Sequence, residues 1–190
     1  MRELTPLAIA VLALLNEQPM HAYEMYQLLL ARQNHRLVKV RPGSLYHTVE
    51  RLAGQEFVRA TGTERAGNRP ERTTYAITPD GQRALMKRVR TGIEKYEYEY
   101  PLFPVVLSEA HNLDSEDALA RLRSRVEELD VAVAEFEATI ADVRAREVPE
   151  QFWMAGDFNR AQMAGEREWL NTLIKRIESK DLAWSHRKNK

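Results

Sequence analysis

The chain has no cysteine among its 190 residues. That excludes disulfides, thiol nucleophiles and thiolate metal sites, and it fits a reducing cytoplasm. A long hydrophobic run is also missing. The most apolar stretch, Leu4 to Leu15, is about half of the roughly 20 residues that a membrane span needs. The Asn16-Glu17-Gln18-Pro19 turn behind it is no small-x-small cleavage site, so a buried core helix is expected there and no membrane partner. The histidines, His21, His35, His47, His111 and His186, form no i, i+4 pair of the kind that holds a metal on one helix face. Neither a phosphate-cradling glycine loop nor a G-x-S-x-G elbow occurs, and Glu97, Glu99 and Glu109 read as solvated carboxylates. No catalytic residue, cofactor or metal is expected, and the chain is not read as an enzyme. It also lacks internal repeats and low-complexity tracts.

Net charge is zero, yet the zero is unevenly built. Residues 1–90 hold 14 basic and 8 acidic side chains, a surplus of six positive charges, and the remainder carries the matching negative surplus. A basic front and an acidic back point to a polyanion met by the front alone, with chance segregation of surface charge as the alternative.

The first helix should start with Thr5 as N-cap and Pro6 at its first position. A second, over about 21–33, puts Ala22, Met25, Tyr26, Leu29 and Leu30 on one buried stripe, with His21 as a turn or surface residue at its start. A third follows Pro42. There Leu45, Val49, Leu52 and Ala53 face inward by spacing, leaving Ser44, His47, Thr48 and Arg51 outward and Tyr46 at the edge. Residues 57–61 and 72–78 read as strands of a hairpin, joined by a polar loop from Gly62 to Glu71. Thr78-Pro79-Asp80 opens another helix, with Leu85, Val89, Ile93 and Tyr96 on one stripe, running on until Pro101.

The rear is helical. Leu119, Leu122, Val126, Leu129, Val133, Phe136, Ile140 and Val143 step by alternating threes and fours, a heptad seam. A last helix over about 150–179 carries Phe152, Phe158, Met163, Trp169, Leu170, Leu173, Ile174 and Ile177. The fold class is thus mainly α with a small β-hairpin wing. A winged helix-turn-helix over 1–100 precedes an antiparallel helical, coiled-coil-like domain over 101–184 and a basic tail over 185–190.

Pro42-Gly43-Ser44-Leu45-Tyr46 with Val49-x-Arg51-Leu52, then Gln55-Glu56-Phe57-Val58, then Arg72-Thr73-Thr74-Tyr75-Ala76-Ile77-Thr78-Pro79-Asp80-Gly81, together with Tyr23-Glu24-Met25, resemble the PadR family of transcriptional regulators over roughly residues 4–90. Ala22 stands where many members have glycine or another small residue, and His47 where many have proline, so no operator sequence is carried over. The resemblance implies a winged helix-turn-helix with a C-terminal helical dimerisation domain, and phenolic or planar hydrophobic effectors.

For double-stranded DNA the residues that fit are Lys39, Arg41, Ser44, Tyr46, His47 and Arg51 around the third helix and Arg65, Arg69 and Arg72 on the wing. Tyr46 has a core residue as its alternative. The heptad seam can join two subunits or pack within one. The expected dimer contacts are Leu119, Leu122, Val126, Leu129, Val133, Phe136, Ile140, Trp169, Leu173 and Ile177. The aromatics Tyr96, Tyr100, Phe103, Trp153 and Phe158 are candidates for a small aromatic effector's pocket, or ordinary packing. The functional expectation is a cytoplasmic, homodimeric, ligand-responsive repressor on a palindromic operator. The alternatives are a winged-helix adaptor that binds protein, and a small-molecule binder whose winged domain is vestigial.

Overall fold

The computed structural model describes residues 3–64 and 72–184, and the chain divides into two compact units, Met1–Tyr98 and Glu99–Lys190.

In the first unit, helix α1 (Pro6–Glu17) begins as expected. Thr5 Oγ1 accepts the Ala8 N–H at 3.3 Å, and Leu7, Ala8, Val11, Leu12, Leu14 and Leu15 are buried around nearly the whole helix. Met20–His21 then form a two-residue strand, β1, too short for a periodicity to announce it. Helix α2 (Ala22–Ala31) starts from His21 in a capping box: His21 Nδ1 accepts the Glu24 N–H at 3.2 Å and Glu24 Oε2 accepts the His21 N–H at 3.0 Å. His21 is therefore a cap, and α2 is shorter than the 21–33 expected. Arg32 forks onto Glu17 at 2.6 and 2.8 Å, fastening the end of α1 to the end of α2. That hydrogen-bonded guanidinium holds the Glu17 carboxyl below its ordinary range.

Helix α3 (Pro42–Gly54) leads into strands β2 (Val58–Glu64) and β3 (Arg72–Ile77). The sheet order is β1-β3-β2, all antiparallel, with Met20 opposite Tyr75 and Val58 opposite Ile77. A bulge between Ala60 and Gly62 shifts the register, and β2 continues to Glu64, past the Gly62 at which a loop was expected to begin. Helix α4 (Pro79–Glu94) is capped by Thr78, whose Oγ1 accepts the Gly81 N–H at 3.1 Å and donates to Glu56 O at 2.7 Å. Gly81 is required by close approach, since a Cβ there would stand 2.1 Å from the Phe57 carbonyl oxygen.

The core of this unit gathers Val11, Leu12, Met25, Leu29, Leu45, Val49 and Leu52, all essentially inaccessible to solvent. The expected stripe on α4 needs correction. Leu85 is buried, but Val89 is exposed, Ile93 is 82% exposed and Tyr96, at 87%, lies beyond the helix. The residues of α4 that are buried, Gly81, Ala84 and Leu85, all lie in its first half. The chain just after Glu94 is tied to α4 by Arg88, whose Nη1 and Nη2 each donate to the Glu97 carboxylate at 2.9 Å.

The second unit holds α5 (Leu102–Ser108), α6 (Ser115–Ala145) and α7 (Met154–Glu178). Asp114 caps α6, accepting the Asp117 N–H at 2.8 Å. Helices α6 and α7 form an antiparallel hairpin, bridged by Arg125–Glu166 at 2.6 Å and Arg167–Asp130 at 2.9 Å. The heptad seam lies against α7 of its own chain. Leu122, Val133, Phe136 and Ile140 are buried, as are Leu170, Ile174 and Ile177 opposite. The broader stripe expected on the last helix narrows accordingly, because Phe152, Phe158 and Trp169 are exposed. No helix among the described residues is long and apolar enough to cross a membrane.

Candidate nucleic-acid interface

Helix α3 owes its orientation to Leu45, Val49 and Leu52, which anchor it in the core. At 3.6 residues per turn, Gly43, His47, Glu50 and Gly54 then fall on the opposite side within an arc of about 60°. All four are exposed, and a Cβ added at Gly43 or Gly54 would meet nothing within 4 Å. None of the described elements of the first unit covers this ridge.

The other residues expected in the interface sort around it. Ser44 is exposed on the flank toward α1. Arg51, on the same flank, is half-buried and donates from Nη2 to Thr5 Oγ1 at 3.2 Å, so it holds α3 to the start of α1. On the other flank Tyr46 is 48% exposed, outside the core. Lys39 and Arg41 are exposed just before the helix. Arg41 occupies the N-cap position without a side-chain cap bond, which leaves the first-turn N–H groups and the positive end of the helix dipole open to an anion. Thr48 must be corrected: expected outward, it is buried, and its Oγ1 donates to Ser44 O one turn back at 2.7 Å. A hydroxyl satisfied by its own helix can face the core without an unpaired group.

A recess of about 180 Å³ opens between α3, the start of α2 and β3, lined by Tyr23, Tyr46, Val49, Glu50, Arg72 and Tyr75. Arg72, exposed at the start of β3, places its guanidinium 5.4 Å from the centre of the Tyr23 ring. The other wing residues, Arg65 and Arg69, lie outside the described residues. Two members of this surface were not foreseen, Glu50 and Tyr23. Glu50 was legible: it follows His47 by three and Gly43 by seven, but placing Thr48 on the outward face hid it.

The remaining candidates are spread over the two units. Of the expected dimer contacts, Leu122, Val133, Phe136, Ile140 and Ile177 are buried within one chain, and Leu119, Val126, Leu129 and Leu173 are half-buried in the same hairpin. These nine pack in the hairpin of one chain, four of them with part of their surface still open, and Trp169 alone of the set is fully exposed. Tyr96, Tyr100 and Phe158 are exposed. Phe103 packs beside Leu122 and Leu170 under the Arg125 guanidinium at 3.6 Å. Trp153 lies under Arg144 at 4.8 Å and donates to Val148 O. Those two arginines are 19 positions apart on α6, about 28 Å at 1.5 Å per residue.

Among solved structures the chain is similar to PadR of Bacillus subtilis in complex with operator DNA, at a TM-score of 0.73 and 13% identity, covering 90% of this chain and 97% of that one. The same protein in complex with p-coumaric acid gives 0.72 and 12%, covering 90% and 98%. A PadR-like transcriptional regulator of Bacillus cereus gives 0.67 and 15%, covering 92% and 99%. At such identities the likeness is one of fold. No curated protein matches. Residues 11–87, however, match the model of the transcriptional regulator PadR-like family. That span runs from the body of α1 through α2, α3 and the wing into α4, the whole of the surface just described. Over residues 11–87 the amino-terminal domain thus matches the transcriptional regulator PadR-like family, and the chain shares the fold of the solved PadR structures.

Proposed function

We propose that this regulator is a cytoplasmic homodimer that represses transcription from a palindromic operator and releases it when a small aromatic effector binds. Helix α3 enters the major groove, with Ser44, Tyr46 and His47 against base edges and phosphates. Lys39, Arg41 and the open first turn of α3 take the backbone on one side, and Arg72, with Arg65 and Arg69, takes it on the wing side. The observation that carries this reading is the uncovered α3 ridge, flanked by exposed cations and lying wholly inside the span that matches the family. A twofold assembly is supported by the geometry of groove readers, which present two copies to half-sites a helical turn apart. The partner surface is placed on the half-buried seam residues Leu119, Val126, Leu129 and Leu173 together with the exposed Trp169 and Val131. A phenolic effector is supported by the likeness to Bacillus subtilis PadR, whose structure holds p-coumaric acid. Its binding favours one of two dimer geometries and so lowers DNA affinity.

The test is a footprint on the DNA upstream of the chain's own gene, repeated at several salt concentrations. A dimer touching six to ten phosphates loses about 10³- to 10⁵-fold in affinity between about 50 and 200 mM salt. Arg72→Ala and Lys39→Ala each reduce the salt slope by about one. Absence of any protected site, with retention of a protein partner by the winged domain, would favour the adaptor instead.

A further inference from the structure

We propose that Glu50 is a specificity-determining residue that reads one cytosine in each half-site by accepting a hydrogen bond from its N4 amino group. The proposal rests on the reading of α3 as the groove-facing helix, and adds to it the base that the helix selects.

The outer ridge of α3 is made of Gly43, His47, Glu50 and Gly54, so it offers only two side chains. The glycines add no bulk, and the space beyond each is open; such positions let a backbone come close to a partner. Direct readout along the centre of this helix must then fall to His47 and Glu50, with Tyr46 on the flank. Glu50 is exposed, and among the described residues none forms an ion pair or hydrogen bond with it. Tyr46 and Arg72 line the same recess.

A carboxylate in this place is chemically selective. It has acceptors only, so phosphates and the guanine O6 and N7 edge repel it. The thymine O4 gives it nothing, whereas the cytosine N4 amino group is a major-groove donor for it. Adenine N6 also donates, but its adjacent N7 is an acceptor facing the second carboxylate oxygen. The preferred pair is therefore C·G with the cytosine under Glu50. The same charge weakens every contact with unrelated DNA, because it stands among residues aimed at a polyanion. Glu50 thereby lowers general affinity and raises discrimination, two effects of one negative charge that move in opposite directions on its removal.

The experiment selects binding sites for the full chain from a random duplex library, then measures affinity for the selected duplex and for each single base-pair change in it. The same is done with Glu50→Gln and Glu50→Ala, both at an exposed position that the fold does not need. The expected parent discriminates roughly tenfold against replacement of one C·G pair per half-site. Glu50→Ala flattens that position and leaves the others, while binding unrelated duplex more tightly than the parent does. Glu50→Gln moves the preference at that position to A·T, since an amide can bond adenine N6 and N7 together. If both variants keep the parent's preference at every position, or bind unrelated duplex no more tightly, the assignment is overturned while the regulator reading stands. A parent that enriches no sequence overturns both.

Discussion

At the scale of single residues, the most constrained backbone positions lie where the wing meets α4. A Cβ at Gly81 would collide with the Phe57 carbonyl, which is backbone and cannot swing aside. Gly81→Ala is therefore expected to destabilise the first unit by roughly 1–3 kcal/mol, seen as a lower midpoint in urea at unchanged slope. Thr78→Ala removes both the cap of α4 and the bond to Glu56 O, at about 0.5–2 kcal/mol. Glu17 supplies a pH-dependent contribution. Its folded-state pKa is depressed by the Arg32 fork, so its stabilisation is present above the unfolded value, about 4.3, and is lost as pH falls through the folded one. The expected result for Glu17→Gln is a shallower fall in stability on acidification below about pH 5, with the pair's modest exposed-surface contribution already absent at neutral pH.

At the scale of elements, the hairpin of α6 and α7 depends on its seam. Phe136→Ala should lower the stability of the second unit by about 3–5 kcal/mol, measured by melting followed at Trp153 and Trp169. The heptad was readable from the sequence because seven alternating steps leave little choice of face. What it faced was not, since a stripe of Leu and Val is equally satisfied by a helix of the same chain or of another. The first unit was legible at the helix starts where an N-cap threonine meets a proline, as at Thr5-Pro6 and Thr78-Pro79. It was illegible at Met20–His21, where two residues have no period, and at Thr48, where an intrahelical hydrogen bond lets a hydroxyl turn inward. Along α4 the stripe of Leu85, Val89, Ile93 and Tyr96 had the right spacing, but beyond Leu85 its members are exposed in this unit. Of the interface, the helix, its flanking cations and the wing were legible from local pattern, whereas the central place of Glu50 depended on how Thr48 was turned.

At the scale of the molecule, the surplus of positive charge in residues 1–90 and of negative charge behind it favours approach to a duplex front first, and the association rate should fall as salt screens that field. For the assembly, sedimentation of Trp169→Glu against the parent is the measurement. A proposed twofold contact that includes this indole predicts a shift toward the single-chain mass, and an unchanged mass would remove Trp169 from it. The hairpin meets its own need for a core, with Leu122, Phe136 and Ile140 already enclosed. A solitary subunit therefore has no reason to unravel when dilute. The proposed pairing would then be a reversible equilibrium set by abundance, and filling of a two-copy target would climb with the square of cellular concentration, so that the proposed switch would respond to how much of the chain the cell produces.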